Sequence, residues 1–239
     1  MADKKVTLPG GAELYLYPAA GSGNSCVLVC PGGGYHHFGM HEGEPVALKA
    51  TEAGFAAAVL YYTVLPETPE KPLADLQEAL SYLRANADAL GIGAHRICAL
   101  GFSAAGHLCA CGGTAKEGEK PDAMALCYPV TDFTHLSATA KYLLGKEYEN
   151  ITSAEKVRWS PWFHVIADTC PAFIWHTADD EGVPVHDSIL MADALSKANV
   201  PFALHIYPHG RHGQGLYTEG KLPYSWMGLF AEWLKDLWR

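Results

Sequence analysis

The chain has 239 residues, 49 % of them apolar and 11 % aromatic, which suits a single large α/β domain over residues 1–239 with a sizeable core. Its 17 basic and 26 acidic residues give a formal net charge of −9, and without clustered Lys and Arg to neutralise phosphates it is not a nucleic-acid binder. No run approaches ~20 uninterrupted apolar residues, and no apolar stretch follows the basic pair Lys4-Lys5, so no transmembrane helix, no signal peptide, no membrane partner and a cytoplasmic location are expected.

Apolar, β-branched or aromatic runs recur at residues 13–17, 26–30, 56–62, 96–100, 124–128, 172–176 and 202–207. Several are continuous rather than alternating, the pattern of strands covered on both faces. Helical patterns fall between them at 43–53, at 73–90, at 185–198 and at 225–238, and an alanine-rich helical segment opens after Ser103. In the second of these, Leu73, Leu76, Leu80, Leu83 and Leu90 lie near one face. Strand and helix alternate, which predicts a mostly parallel sheet with helices on both faces. Residues 133–169 break the rhythm and hold Trp159, Pro161, Trp162, Phe163 and His164. Connections of that length are usually functional; this one reads either as a short cap-like helical excursion over the strand tops or as a stabilising insertion with an aromatic cluster.

The seven cysteines include no C-x-x-C pair. Cys26, Cys30, Cys98 and Cys127 lie in apolar segments, where a free thiol behaves as a small hydrophobe. Cys26 and Cys30 would stand about 13 Å apart on one strand, too far to bridge. A reducing compartment follows.

Four loops after strands carry chemistry. In Leu100-Gly101-Phe102-Ser103-Ala104-Ala105-Gly106, a serine sits on a tight strand-to-helix turn between small neighbours. Alone, that run is equally a serine N-cap. The run Cys30-Pro31-Gly32-Gly33-Gly34-Tyr35 lets backbone N–H groups face a site without side-chain obstruction. An N–H of Gly33 or Gly34, joined by that of Ala104, would form an oxyanion hole. Neither a Gly-Lys-Ser/Thr nor a G-x-G-x-x-G is present to make the glycine run a phosphate loop. Further on, Asp179, Asp180 and Glu181 follow one strand, and His209-Gly210-Arg211-His212-Gly213 follows the next. Local chemistry does not choose among the three carboxylates. The order serine, acid, histidine is that of a nucleophile, an orienting group and a base.

Together these segments resemble the α/β-hydrolase fold. Within it they are similar to the acetyl-xylan-esterase-like, or bifunctional carbohydrate acetyl and feruloyl esterase, group. The resemblance covers nearly the whole chain, from Pro31-Gly32-Gly33-Gly34-Tyr35 to the closing helix. His176-Thr177-Ala178-Asp179-Asp180-Glu181-Gly182-Val183-Pro184 resembles the H-T-A-x-D-x-x-V-P segment of that group, which implies Asp180 as the acid. His209-Gly210-Arg211-His212-Gly213 resembles its H-G-x-H-G segment, which implies His212 as the base, and Ser160-Pro161 fits as well. Ala105 departs from the commoner glycine of the serine turn, where its methyl would crowd the backbone unless Gly106 relieves it.

The resemblance implies a cofactor-independent serine carboxylesterase acting on a small ester or an acetylated oligosaccharide, with Ser103, Asp180 and His212 catalytic. Tyr35, His36, Trp159 and Trp162 are the candidates for contacting substrate. A serine peptidase of prolyl-oligopeptidase type shares the residue order but carries a large extra domain, and a non-catalytic binding module on the same fold is the remaining alternative. His205, His209 and His212 with His36, His37 and His41 could be read as a metal cluster, but Pro45 interrupts any H-E-x-x-H, so no metal is assigned.

Overall fold

The computed structural model describes residues 2–19, 24–135, 137–216 and 226–239. Its strands are β1 (Lys4–Thr7), β2 (Glu13–Tyr17), β3 (Cys26–Cys30), β4 (Ala56–Tyr61), β5 (Ile97–Phe102), β6 (Ala123–Cys127), β7 (Ala172–Thr177) and β8 (Phe202–Tyr207). They form one sheet in the order β1-β2-β4-β3-β5-β6-β7-β8. β2 runs antiparallel to β1 and β4, and every pairing from β4 across to β8 is parallel. The expected mostly parallel sheet is present. β1 has no counterpart in the apolar pattern because Lys4-Lys5-Val6-Thr7 is a largely exposed edge strand. Its lysines guard the edge, and pairing with β2 rather than burial makes it a strand.

The helices are α1 (Glu44–Glu52), α2 (Lys71–Ala85), α3 (Ala87–Leu90), α4 (Ala104–Gly113), α5 (Ala138–Leu144), α6 (Ser153–Arg158), α7 (His186–Lys197) and α8 (Trp226–Leu237). Side chains alternate between two cores with the period of a strand. In β3, Cys26, Leu28 and Cys30 enter one core with Leu76 and Leu80 of α2, Leu108 of α4 and Leu195 of α7. Val27 and Val29 enter the other, with Val46 and Ala50 of α1 and Phe230 and Leu234 of α8. The helical pattern over 73–90 breaks in two at Asn86. There the backbone leaves the helical region (φ −109°, ψ 14°) and the side-chain amide donates to the Tyr82 carbonyl at 2.8 Å. Ser225, the expected first residue of the last helix, lies outside the described residues.

The stretch 133–169 is helical, built from α5, α6 and 3-10 turns at Tyr148–Asn150 and Pro161–His164. His107 of α4 pins it down. The fully buried ring stacks on Phe133 at 4.6 Å. Its Nε2 lies 2.7 Å from the Trp159 carbonyl, which can only accept, so Nε2 carries the proton and Nδ1 accepts from the Tyr35 hydroxyl at 2.8 Å. Burial pushes the imidazole pKa down to about 4. The folded protein therefore keeps His107 neutral where the unfolded chain takes up a proton. This contribution is complete above pH ~6.5 and drains away as the pH falls toward 4. Between pH 7 and pH 4, denaturant unfolding of the parent should lose stability on the order of 3 kcal/mol beyond that lost by His107→Asn. Parallel slopes in the two proteins would contradict a neutral His107.

Candidate active site

β5 runs straight into the turn at Ser103, whose backbone has φ 54° and ψ −117°. A positive φ costs a side-chain-bearing residue about 1–3 kcal/mol, so neighbours must hold it. Here the Ser103 N–H donates to the Cys127 carbonyl at 2.9 Å, and the Ser103 carbonyl accepts from the N–H groups of His107 and Val130. Two glycines make the close approaches. A Cβ on Gly101 would stand 2.1 Å from the Ala105 carbonyl oxygen, and one on Gly106 2.8 Å from the Pro129 side chain. Ala105 itself is fully buried in the core, so its methyl is accommodated while Gly101 and Gly106 take the contacts that need glycine. Ser103 heads α4 but makes no side-chain cap bond, which removes the N-cap reading.

Its hydroxyl instead lies 2.8 Å from His212 Nε2. His212 Nδ1 in turn lies 2.8 Å from Asp180 Oδ2. An ionised carboxylate only accepts, so the imidazole proton sits on Nδ1 and Nε2 is left as an acceptor facing the serine. Burial of Asp180 would raise its pKa, but hydrogen bonds from His176, His212 and the Val183 N–H outweigh that and hold the carboxyl well below its usual range. Its other oxygen accepts from the N–H groups of Gly182 at 2.8 Å and Val183 at 3.0 Å. Asp179 faces elsewhere, toward His209 Nδ1 at 2.9 Å and the Gly210 N–H at 2.7 Å, and so ties the acid loop to the histidine loop.

The glycine loop follows β3, the neighbour of β5, and lies against the serine turn: a Cβ on Gly32 would stand 2.6 Å from the Phe102 carbonyl oxygen. Gly33 and Gly34 have φ 133° and 68°, and the Gly33 carbonyl accepts from the N–H groups of both His36 and His37. Ala104 opens α4, where the first-turn N–H groups have no partner within the helix. All four loops leave the C-terminal ends of parallel strands, the usual place for a site in such a sheet.

This arrangement has relatives. The family model BD-FAE matches residues 12–195. The chain belongs to the BD-FAE family. It is 35 % identical over 209 residues to endo-1,4-beta-xylanase B of Butyrivibrio fibrisolvens, covering 79 % of this chain and 32 % of that protein. It is 27 % identical over 247 residues to an acetylxylan esterase of Xylanibacter ruminicola, covering 98 % and 51 %. The chain thus spans about a third and about half of the lengths of these two relatives. Among solved structures, an acetyl ester-xyloside bifunctional hydrolase from Caldicellulosiruptor lactoaceticus superposes with a TM-score of 0.88 at 38 % identity, over 96 % of this chain and 89 % of that one. Its sheet and its likeness to that structure give the BD-FAE chain an α/β-hydrolase fold.

Of the four residues expected to contact substrate, two are buried against other partners. Tyr35, with φ 61°, is buried beneath the glycine loop, its hydroxyl bonded to His107 and its ring against Tyr62. A left-handed backbone sends its side chain under the loop, and the sequence alone does not reveal that direction. Trp159 is buried too, and its edge lines a groove with Leu73, Thr114 and Arg158 that includes none of Ser103, Asp180 and His212. Trp162 is half-buried and stacked on Phe163 at 3.7 Å. His36 stays exposed beside Gly34, with its ring 4.8 Å from Tyr142 of α5. The other histidines have separate partners: His41 Nε2 donates to the Gly213 carbonyl, and His205 lies against Phe173.

Two residues of the 176–184 motif that were assigned no role support the acid and the histidine. His176, fully buried, donates from Nε2 to the Val183 carbonyl at 3.0 Å with Asp180 Oδ2 at 3.4 Å, while Nδ1 accepts from the Ser188 hydroxyl. Gly182 lets the acid loop approach His212, whose Cβ would lie 2.7 Å from any added methyl. Both stand in the 176–184 motif, which signalled them without giving their task. Asp180→Asn should reduce kcat on a small ester about 10⁴-fold, since it removes the acceptor that fixes the His212 tautomer. Asp179→Asn loosens only a surface tie and should cost less than about tenfold, and steady-state kinetics of the two variants checks the ranking. Equal losses would contradict the separate roles drawn from these contacts.

Proposed function

We propose that this chain is a serine carboxylesterase that removes acetyl groups from xylan-type oligosaccharides through an acyl-enzyme on Ser103. The observation that carries the reading is the continuous hydrogen-bonded line from Ser103 Oγ through His212 to Asp180, 2.8 Å at each step. His212 Nε2 takes the hydroxyl proton as Oγ attacks the acetyl carbonyl carbon. The negative charge that develops on the carbonyl oxygen is met by the Ala104 N–H and by an N–H of Gly33 or Gly34. His212 then gives its proton to the departing sugar oxygen, which leaves an acetyl ester on Ser103. Water, deprotonated by the same nitrogen, attacks that ester, and His212 returns the proton to Ser103 Oγ as the bond from Oγ to the acyl carbon breaks and the acetyl group leaves as acetic acid. Asp180 keeps Nδ1 protonated throughout and stabilises the imidazolium formed at each proton transfer.

Support for the substrate class comes from the relatives. One is an acetylxylan esterase and another an acetyl ester-xyloside bifunctional hydrolase.

Ser103→Ala should fold as the parent does and lose kcat by about 10³-fold or more on acetylated xylo-oligosaccharides, since only binding and the oxyanion donors remain. In a series of esters from acetyl to octanoyl, kcat/KM should be highest for acetyl. A longer acyl chain gains only where a channel buries its methylenes, at ~0.8 kcal/mol each. Near-parent activity in Ser103→Ala would remove the mechanism, and rates climbing steadily to octanoyl would remove the substrate class.

A further inference from the structure

Glu42 carries a buried carboxylate that the mechanism above does not use. It ends a 3-10 turn at Met40–Glu42, just before α1, and is 3 % exposed. Among the described residues no Lys or Arg pairs with it; the nearest basic nitrogen is His41 Nε2 at 3.8 Å, itself committed to the Gly213 carbonyl. A buried carboxylate in that situation is held by hydrogen bonds, and both its oxygens have one. Oε2 accepts from the Gly32 N–H at 2.8 Å, and Oε1 accepts from the Tyr128 hydroxyl at 2.6 Å.

The Tyr128 oxygen in turn accepts from the Gly215 N–H at 2.8 Å. The direction of each bond is fixed. Gly215 can only donate, so the phenol proton must go to Glu42. Burial, with Glu42 beside it, pushes the Tyr128 pKa well up, so that proton is retained. The Tyr128 ring lies edge-on to the His212 ring at 5.1 Å and to Trp175 at 4.9 Å. Space for the carboxylate is made by glycine: a Cβ on Gly32 or Gly39 would stand 2.8 or 2.9 Å from Oε2.

The strand order explains why such a link is needed. Ser103 follows β5 and His212 follows β8, with β6 and β7 between them. Three strand spacings of about 4.8 Å separate the two strand ends, so the histidine loop must reach back over the sheet to meet the serine. Tyr128 follows β6 and fills that gap. The chain Gly32–Glu42–Tyr128–Gly215 then joins the glycine loop to the loop that carries His212.

We propose that Glu42 and Tyr128 form a positioning pair that holds the oxyanion loop and the His212 loop in register, without touching the substrate. The inference rests on the proposed roles of Ser103 and His212. Glu42→Gln places an amide N–H against either the Gly32 N–H or the Tyr128 O–H, and Tyr128→Phe leaves the Gly215 N–H without its acceptor and Glu42 without its donor. Each variant should lower kcat per folded molecule on an acetyl ester by on the order of 10- to 100-fold with KM within about threefold. The double variant should be no worse than about threefold below the weaker single one, because both changes break one path. In NMR of the resting protein, the low-field Nδ1–H resonance of His212, identified by its loss in His212→Asn, should broaden or disappear in both single variants. Parent kcat per folded molecule with an unmoved His212 resonance, whatever the melting temperature, would overturn the proposal, as would losses that multiply in the double variant. Ser103→Ala, assayed alongside, separates the two readings. If it keeps parent activity the esterase mechanism fails, while the His212 resonance still decides whether Glu42 and Tyr128 hold that loop.

Discussion

The site depends first on a backbone conformation that serine adopts only under constraint. At Ser103 the chain leaves a buried strand with a positive φ and enters α4 in one residue. That turn lifts the hydroxyl clear of the sheet and leaves the first N–H groups of the helix beside it. Hydrogen bonds from the neighbouring strand end and the absence of side chains at Gly101 and Gly106 make the conformation available. The strain is local, and its cost is spread over the packing of β5, β6 and α4.

Around this turn, buried polar groups are arranged so that each has one possible hydrogen-bond direction. Carbonyls of Trp159 and Val183 set the tautomers of His107 and His176, and the Asp180 carboxylate sets that of His212. The consequence at His212 is an unprotonated Nε2 facing the serine hydroxyl. His107 uses the same logic for structure alone. It joins Tyr35 under the glycine loop to Phe133 and Trp159 of the helical insertion, so the insertion and the loop share one buried imidazole.

Much of this was legible in the residues. Apolar or aromatic runs marked seven of the eight strands, most plainly β3, β5, β6 and β7, which are buried along their whole length and so have no polar alternation, and the order of Ser103, Asp180 and His212 follows the order of the strands that carry them. What was not legible depends on three dimensions. β1 is polar and exists through its pairing, and Asn86 ends a helix by a local side-chain bond that leucine periodicity conceals. The direction of Tyr35 goes with a left-handed φ, and the burial of Trp159 with a core that it shares with Leu108 of α4. In the sequence Glu42 stands only in the interrupted run His41-Glu42-Gly43-Glu44-Pro45, which gives it no task. Only the meeting of the β3, β6 and β8 loops reveals it as a buried acceptor for two of them.

A crystal structure of the protein inactivated by a small phosphonate ester tests the central claim most directly, because the phosphonyl group has the shape and charge of the tetrahedral intermediate. The account predicts phosphorus bonded to Ser103 Oγ, with one phosphoryl oxygen about 2.7–3.1 Å from both the Ala104 N–H and an N–H of Gly33 or Gly34. His212 Nε2 should lie within hydrogen-bond reach of the ester oxygen. An adduct on another residue, or a phosphoryl oxygen turned to solvent while those N–H groups face elsewhere, would contradict it.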